Sequence, residues 1–365
     1  MLKSLVVRAA ALTAMAVSVA AAQRSESYTL RGERTAVYNV AGKITIERGS
    51  GSSVVVEVSR GGNDARDLKI EQRTIDGRDA LCIVYPDDKI IYPPHGRWAE
   101  SNTSVDRDDC RGGSSSVFRG RRIDVSGSGR GVEAWADLHI LVPNGRDFQL
   151  KHVTGDIDVS DVDGELELDV ASSDVQTRKT RGDLRIAGGS GSVTLDGHTG
   201  DLRVNVGSGG VRVDHVDGGR VQIGSGSGGV RGTGMSGNDV TIRTGSGGID
   251  LGAVSARRVT MQTGSGGARV GMTSNPEDIT VHSGSGPVTL TLPSNFGANV
   301  DITTGSGGID SDFSFTTEGR YRRDRNVHGT IGNGRGRLLV QTGSGGVRLR
   351  RSRGSDEDRD RRRDR

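Results

Sequence analysis

The stretch Val240–Leu251 reads VTIRTGSGGIDL, and its heptapeptide TGSGGID, Thr244–Asp250, returns unchanged at Thr304–Asp310. Three readings compete for it: a loop that cradles a phosphate, a calcium-binding repeat, or a corner that the chain turns again and again. On either side of the glycines the sequence alternates. Val240, Ile242 and Thr244 point one way and Thr241 and Arg243 the other; past the glycines Ile249 and Leu251 point inward and Asp250 outward. Period two marks a strand with one buried face, so the unit reads as strand, glycine corner, strand.

The serines of successive Gly-Ser-Gly triplets stand at Ser190, Ser208, Ser227, Ser246, Ser265, Ser285, Ser306 and Ser344, at intervals of 18, 19, 19, 19, 20, 21 and 38. A fixed period of about 20 residues is the signature of stacked repeats, in which each rung leans on its neighbours for a core. The 38-residue gap is expected to hold one rung whose corner has been replaced, around FTTEGRYRRDRN at 315–326. The corner glycines Gly207, Gly226, Gly245, Gly264, Gly284, Gly305 and Gly343 are expected to supply positive φ or a close backbone approach. Thr244, Thr263 and Thr304 are expected to line a hydroxyl ladder beside the corner. Upstream, DFQLKHVTGDIDV (147–159) and GELELDVASSDVQT (164–177) lack the full glycine motif but keep the strands. The expected fold is all-β: a β-solenoid of roughly ten rungs from about Phe148 to Leu349, with an N-terminal β-rich cap.

The flanks divide the rest. Residues 1–22, with Lys3 and Arg8 ahead of an apolar run that ends at Ala20–Ala22, read as a secretory signal. Residues 23–86 are expected to form the cap and 87–131 a flexible insertion rich in Gly, Ser, Arg and Asp. The solenoid proper is expected over 132–349 and a disordered mixed-charge tail over 350–365. No later apolar run is long enough for a membrane helix. The expected location is outside the cytoplasm: periplasm, outer surface or extracellular medium. The only two cysteines, Cys82 and Cys110, could then form one disulfide.

Composition narrows the chemistry. Of 365 residues 58 are glycine, yet they are periodic and strands alternate between them, which excludes disorder over most of the chain. Removing Lys3 and Arg8 from a formal net charge of +3 leaves the mature chain near neutrality, and aromatics are only 3%, so a nucleic-acid partner is not expected. GSGSGG at 224–229 fits a dinucleotide-loop spacing, but no helix follows it. The calcium reading needs an acidic ligand at nearly every corner, whereas the position in question holds Arg212, Arg231, Asp250, Arg269, Thr289, Arg348 and Asp310. No metal site or cofactor is expected. His198, His215 and His282 fall in different rungs without a carboxylate cluster, and there is no nucleophile elbow, so catalysis has no residues to carry it.

VYNVAGKITIERG (37–49), ILVPNGRDFQLKHVTGDIDV (140–159) and the serial TGSGGIDL units together resemble the putative-adhesin family of bacterial β-strand-repeat proteins of unknown function. The resemblance covers most of Tyr28–Leu349. It implies a β-solenoid at the bacterial envelope and carries over no catalytic residues. Outward positions form two expected ladders: Arg185, Arg203, Gln222, Arg243, Gln262 and His282 on one face, and Arg212, Arg231, Asp250 and Arg269 on another. The expected function is a non-enzymatic exported adhesin-like protein that binds envelope polysaccharide or a surface protein through these faces, with the arginines as candidate ligand-binding residues. A purely structural envelope scaffold and, behind it, a polysaccharide-acting enzyme are the alternatives.

Overall fold

The computed structural model describes residues 25–95, 100–104, 122–316 and 325–352. Alternating Val, Ile and Leu favour pleated, half-buried backbone, and here they build one 25-stranded sheet that winds into a solenoid, with a four-stranded sheet beside its first turns. Each rung places one strand in a front sheet and the next in a back sheet, and every rung-to-rung pairing is parallel from the first turn onward. The front series starts with Arg34–Ala41, Arg146–Thr154, Gly164–Val170, Leu184–Gly188 and Leu202–Val206. The back series starts with Ile44–Gly49, Ile157–Ser160, Val175–Arg181 and Val193–Thr199. In mid-solenoid, three strands of 15 residues, Val211–Ser225, Val230–Thr244 and Ile249–Thr263, run through both sheets.

A third, short side turns the back strand toward the next front strand. Asp161, Lys179, Gly197, His215, Gly234 and Ala253 all have positive φ, between 51° and 75°. They stack one above another at matching registers. The left-handed residue shifts the inward phase by one, which buries Val162, Thr180, His198, Val216, Met235 and Val254 in a column of their own. The three columns of front residues, the back residues and this side column meet in one continuous core.

The glycine corners resolve the choice left by the sequence. None of the seven corner glycines has positive φ. They are required by close approach: a Cβ on Gly226 would stand 2.4 Å from the Gly207 carbonyl oxygen, and one on Gly247 would stand 2.1 Å from that of Gly228. From Thr244 onward the inward hydroxyl at the end of each front strand ties its own corner, whereas Ser225 reaches back to Gly209 O of the preceding corner. Thr244 donates to Gly247 O at 2.6 Å, Thr263 to Gly266 O at 3.0 Å and Ser283 to Gly286 O at 2.7 Å.

Both ends depart from simple winding. At the C-terminal end the 38-residue gap does not hold a rung with a replaced corner. The last strands, Gly336–Thr342 and Val347–Arg351, slot between the rung of Asp278–Ser283 and Val288–Leu292 and the rung of Ala298–Thr304 and Ile309–Ser311. Asn326–Ile331 lies antiparallel on the outermost front strand, and Gly332 and Gly334, at φ 56° and 64°, reverse the chain back into the slot. Part of the expected insertion, 317–324, lies outside the described residues.

At the N-terminal end, Arg34–Ala41 and Ile44–Gly49 form a full rung within the segment expected as a cap. Arg78–Val84 in front and Trp135–Pro143 behind lie parallel on it, and antiparallel strands close these in turn: Lys69–Ile75 on Arg78–Val84, and Val54–Gly61 then Ser25–Leu30 on Trp135–Pro143. The segment expected as a flexible insertion supplies strands Lys89–Ile91, Glu100–Ser104 and Arg122–Ser126 to the small sheet, where Ile90, Ile91, Ile123 and Val125 are buried. Cys82 is buried and disulfide-bonded; Cys110, its expected partner, lies outside the described residues, as do residues 1–22 and most of the tail.

Candidate functional site

Outward residues of the front sheet fall in columns fixed by the parallel register. One column holds Gln149, Glu167, Arg185, Arg203 and Gln222; the next, two residues nearer the glycine corner, holds Asn205, Gly224, Arg243, Gln262, His282, Gln341 and Thr303. The ladder read from sequence as one row is therefore two adjacent rows on the same sheet. Arg212, Arg231, Asp250 and Arg269 do share a single row, on the back sheet. Arg203 and Arg243 are thus separated from Arg212, Arg231 and Arg269 by the thickness of the solenoid.

The second front row and the corner beside it line a trough of about 1060 Å³ that crosses seven consecutive rungs, from Asn205 to Thr303. At a strand spacing of about 4.8 Å, six steps give a length of about 29 Å. Gly224 leaves a gap in the row where its neighbours carry side chains. Half-buried Gln222 and His282 and exposed Arg243, Gln262 and Gln341 supply the polar lining, and among the described residues no carboxylate enters it. Arg203 donates through Nε and Nη2 to Gln222 Oε1 at 3.1 and 2.8 Å, and Arg243 Nε donates to Gln262 Oε1 at 3.1 Å.

Elsewhere the arginines are matched by acids. Arg185 pairs with Asp183, Arg212 with Asp214 and Arg269 with Asp250, the three arginines being exposed and Asp183 and Asp214 half-buried. Arg231 has no partner among the described residues. Along the far edge of the front sheet Arg220, Asp239, Arg258, Asp278 and Arg337 alternate in sign, with Arg258–Asp239 at 2.6 Å and Arg337–Asp278 at 3.0 Å. Among the described residues no group of three His, Cys, Asp or Glu side chains converges as a metal site would require.

Two histidines sit inside instead. His152, fully buried at the first corner, is held down to about 4 by burial, partly offset by the backbone of Asn39, Gly42 and Thr154. Among the described residues neither of its ring nitrogens makes a hydrogen bond of full geometry. His198 Nδ1 lies 3.0 Å from Thr180 Oγ1 in the side column, and burial lowers its pKa too. Around the first corner Tyr85 Oη stands 3.0 Å from both Asn39 Oδ1 and Ala41 O, while Asn39 Nδ2 donates to Ala136 O at 2.8 Å. These groups shape the end of the solenoid and do not reach the trough.

A family model described as Toastrack DUF4097 matches residues 133–350. The chain belongs to that family. Its matched span covers the front and back sheets from Glu133 to Arg350, and so the whole trough of this Toastrack chain lies inside it. The Toastrack repeats are those whose motifs resemble bacterial adhesin-like proteins of unknown function. No curated protein matches the chain. A solved structure, the putative cell adhesion protein from Clostridium sporogenes, aligns over 90% of this chain and 99% of its own at 12% identity, with a TM-score of 0.20. No helix among the described residues is long and apolar enough to cross a membrane.

Proposed function

We propose that the protein is an exported, non-enzymatic, adhesin-like solenoid that binds an extended polymer of the envelope or cell surface along its front sheet. The observation that carries this reading is the trough, because it repeats one kind of polar position over seven rungs. Weak contacts in register on one chain add through effective concentration, which suits a polymer better than a small molecule. The disulfide at Cys82 supports an oxidising compartment, in keeping with the leader-like N-terminus. A scaffold without a discrete ligand is the second reading, favoured by the acid partners that occupy Arg185, Arg212 and Arg269.

The two readings separate in a binding array of polysaccharides and envelope fractions, probed with the protein and with Gly224→Gln, with and without calcium. A Cβ at Gly224 would meet only the movable Asn205 side chain closely, so this variant fills the trough without disturbing the corner. Saturable binding that Gly224→Gln abolishes supports the proposed function. A blank array from folded protein, or binding indifferent to the variant, contradicts it.

A further inference from the structure

The hydrogen-bond polarity of the trough narrows the class of polymer. A guanidinium has donors and no acceptor, so the atom of Gln222 facing Arg203, and that of Gln262 facing Arg243, must be the carbonyl oxygen. Gln222 Oε1 takes two bonds from within the wall and Gln262 Oε1 takes one. What faces a ligand is chiefly their amide N–H groups, which have no partner among the described residues, together with the N–H groups of Arg243 left over from that bond. His282 and Gln341 continue the same row without partners among the described residues. Backbone groups of the trough floor are consumed by the parallel ladders above and below. The trough is therefore rich in donors, carries positive charge at Arg243 and has no carboxylate on its wall among the described residues.

Resting on the polymer-binding reading, we propose that the trough takes an acidic polysaccharide, laid along the solenoid axis with its carboxylates over Arg243, Gln262, His282 and Gln341. A carboxylate accepts from two donors at once, and charge-assisted bonds of that kind are about twice as strong as neutral ones. An acidic peptide lying across the rungs would find no open backbone edge to pair with, because every trough strand is internal to the sheet. A nucleic acid would need aromatic platforms for its bases, and the trough has none among the described residues. Sugar hydroxyls meet Thr241 and Thr303 at the margins, while carboxylates take the donors.

The test is titration calorimetry of the protein with oligogalacturonates of increasing length, their methyl esters, poly-L-glutamate and inorganic polyphosphate. The expected result is saturable binding that strengthens with length until the ligand spans about 29 Å, weakens with salt, and falls about tenfold or more on esterification. Gln262→Glu keeps the acceptor for Arg243 but replaces the outward donor by a negative charge. It should cost about tenfold or more, whereas Arg231→Gln on the back sheet should leave affinity unchanged. Tighter binding of poly-L-glutamate or polyphosphate, equal binding of the esters, or equal losses in the two variants would overturn the proposal. If the esters bind as well and Gly224→Gln still blocks them, only the acidic class falls. If no polymer binds to protein that circular dichroism shows to be folded, the polymer-binding reading falls with it.

Discussion

The first corner and the later corners make the same turn by opposite means. At the first, and at that of the rung stacked on it, single glycines Gly42 and Gly155 adopt φ of 137° and 126°, and a one-off polar cluster of Asn39, Tyr85 and His152 fills the space beside them. From Gly207 onward no corner glycine needs positive φ, the glycines on either side of each corner serine leave no room for a Cβ, and from Thr244 on a Thr or Ser hydroxyl ties each turn. The first rung meets a repeating rung on one side and the non-repeating strands Arg78–Val84 and Trp135–Pro143 on the other, so its corner is finished with unique residues. An interior rung borrows its shape from two identical neighbours, so the smallest repeatable unit suffices.

The contrast breaks first at the glycines. Gly247→Ala would put a Cβ 2.1 Å from Gly228 O, whereas at Gly308 nothing lies within 4 Å of the added carbon. Denaturant melts should show a loss of about 3 kcal/mol or more for Gly247→Ala and a change within about 0.5 kcal/mol for Gly308→Ala. Equal effects would mean that glycine serves the corner by flexibility and not by closeness.

Acid should next pick out the first corner. His152 is held neutral, so the unfolded chain takes the proton first: stability is complete above the ordinary value of 6.5, declines as pH falls toward about 4, and then levels because both states are protonated. The loss from this group is on the order of 3 kcal/mol. His198 adds a loss of the same sign. His152→Leu should flatten much of this slope in thermal melts followed from pH 7 to 4, and an unchanged slope would remove His152 from the account.

Smaller effects sharpen the later corners. Thr244→Val deletes the tie to Gly247 O and should cost about 1 kcal/mol. Asp239→Asn removes one exposed ion pair with Arg258 and should cost about 0.5 kcal/mol or less, vanishing at high salt. A larger cost for Asp239→Asn than for Thr244→Val would make the charge ladder between rungs, and not the hydroxyl tie within each corner, the stronger of the two polar supports.

Much of this was legible in the sequence because a repeat states its own period: the strands, the corners, the hydroxyl at Thr244 and the back row of Arg212 to Arg269 all follow from it. The third side was missed although its signal is present. The inward residues run Val211, Val213, Val216, then Val230, Gly232, Met235, so the alternation slips by one in each rung where the left-handed residue sits. The inserted last rung left no such signal, since Ser306 and Ser344 keep the same corner whichever order they stack in. Strands at Lys89–Ile91 and Arg122–Ser126 were hidden by the polar residues around them. The trough depends on which of two adjacent rows a residue joins, and Gly224, having no side chain, is silent until neighbours flank it.

Hydroxyl-radical footprinting of the protein bound to an envelope polymer tests the central claim most directly, because two histidines of equal intrinsic reactivity report on opposite outcomes. His282 lines the front trough, and His215 stands exposed on the short side beside Asp196. The account predicts that bound polymer protects His282 and leaves His215 as reactive as in the free protein. Protection of His215 with His282 unchanged would contradict it.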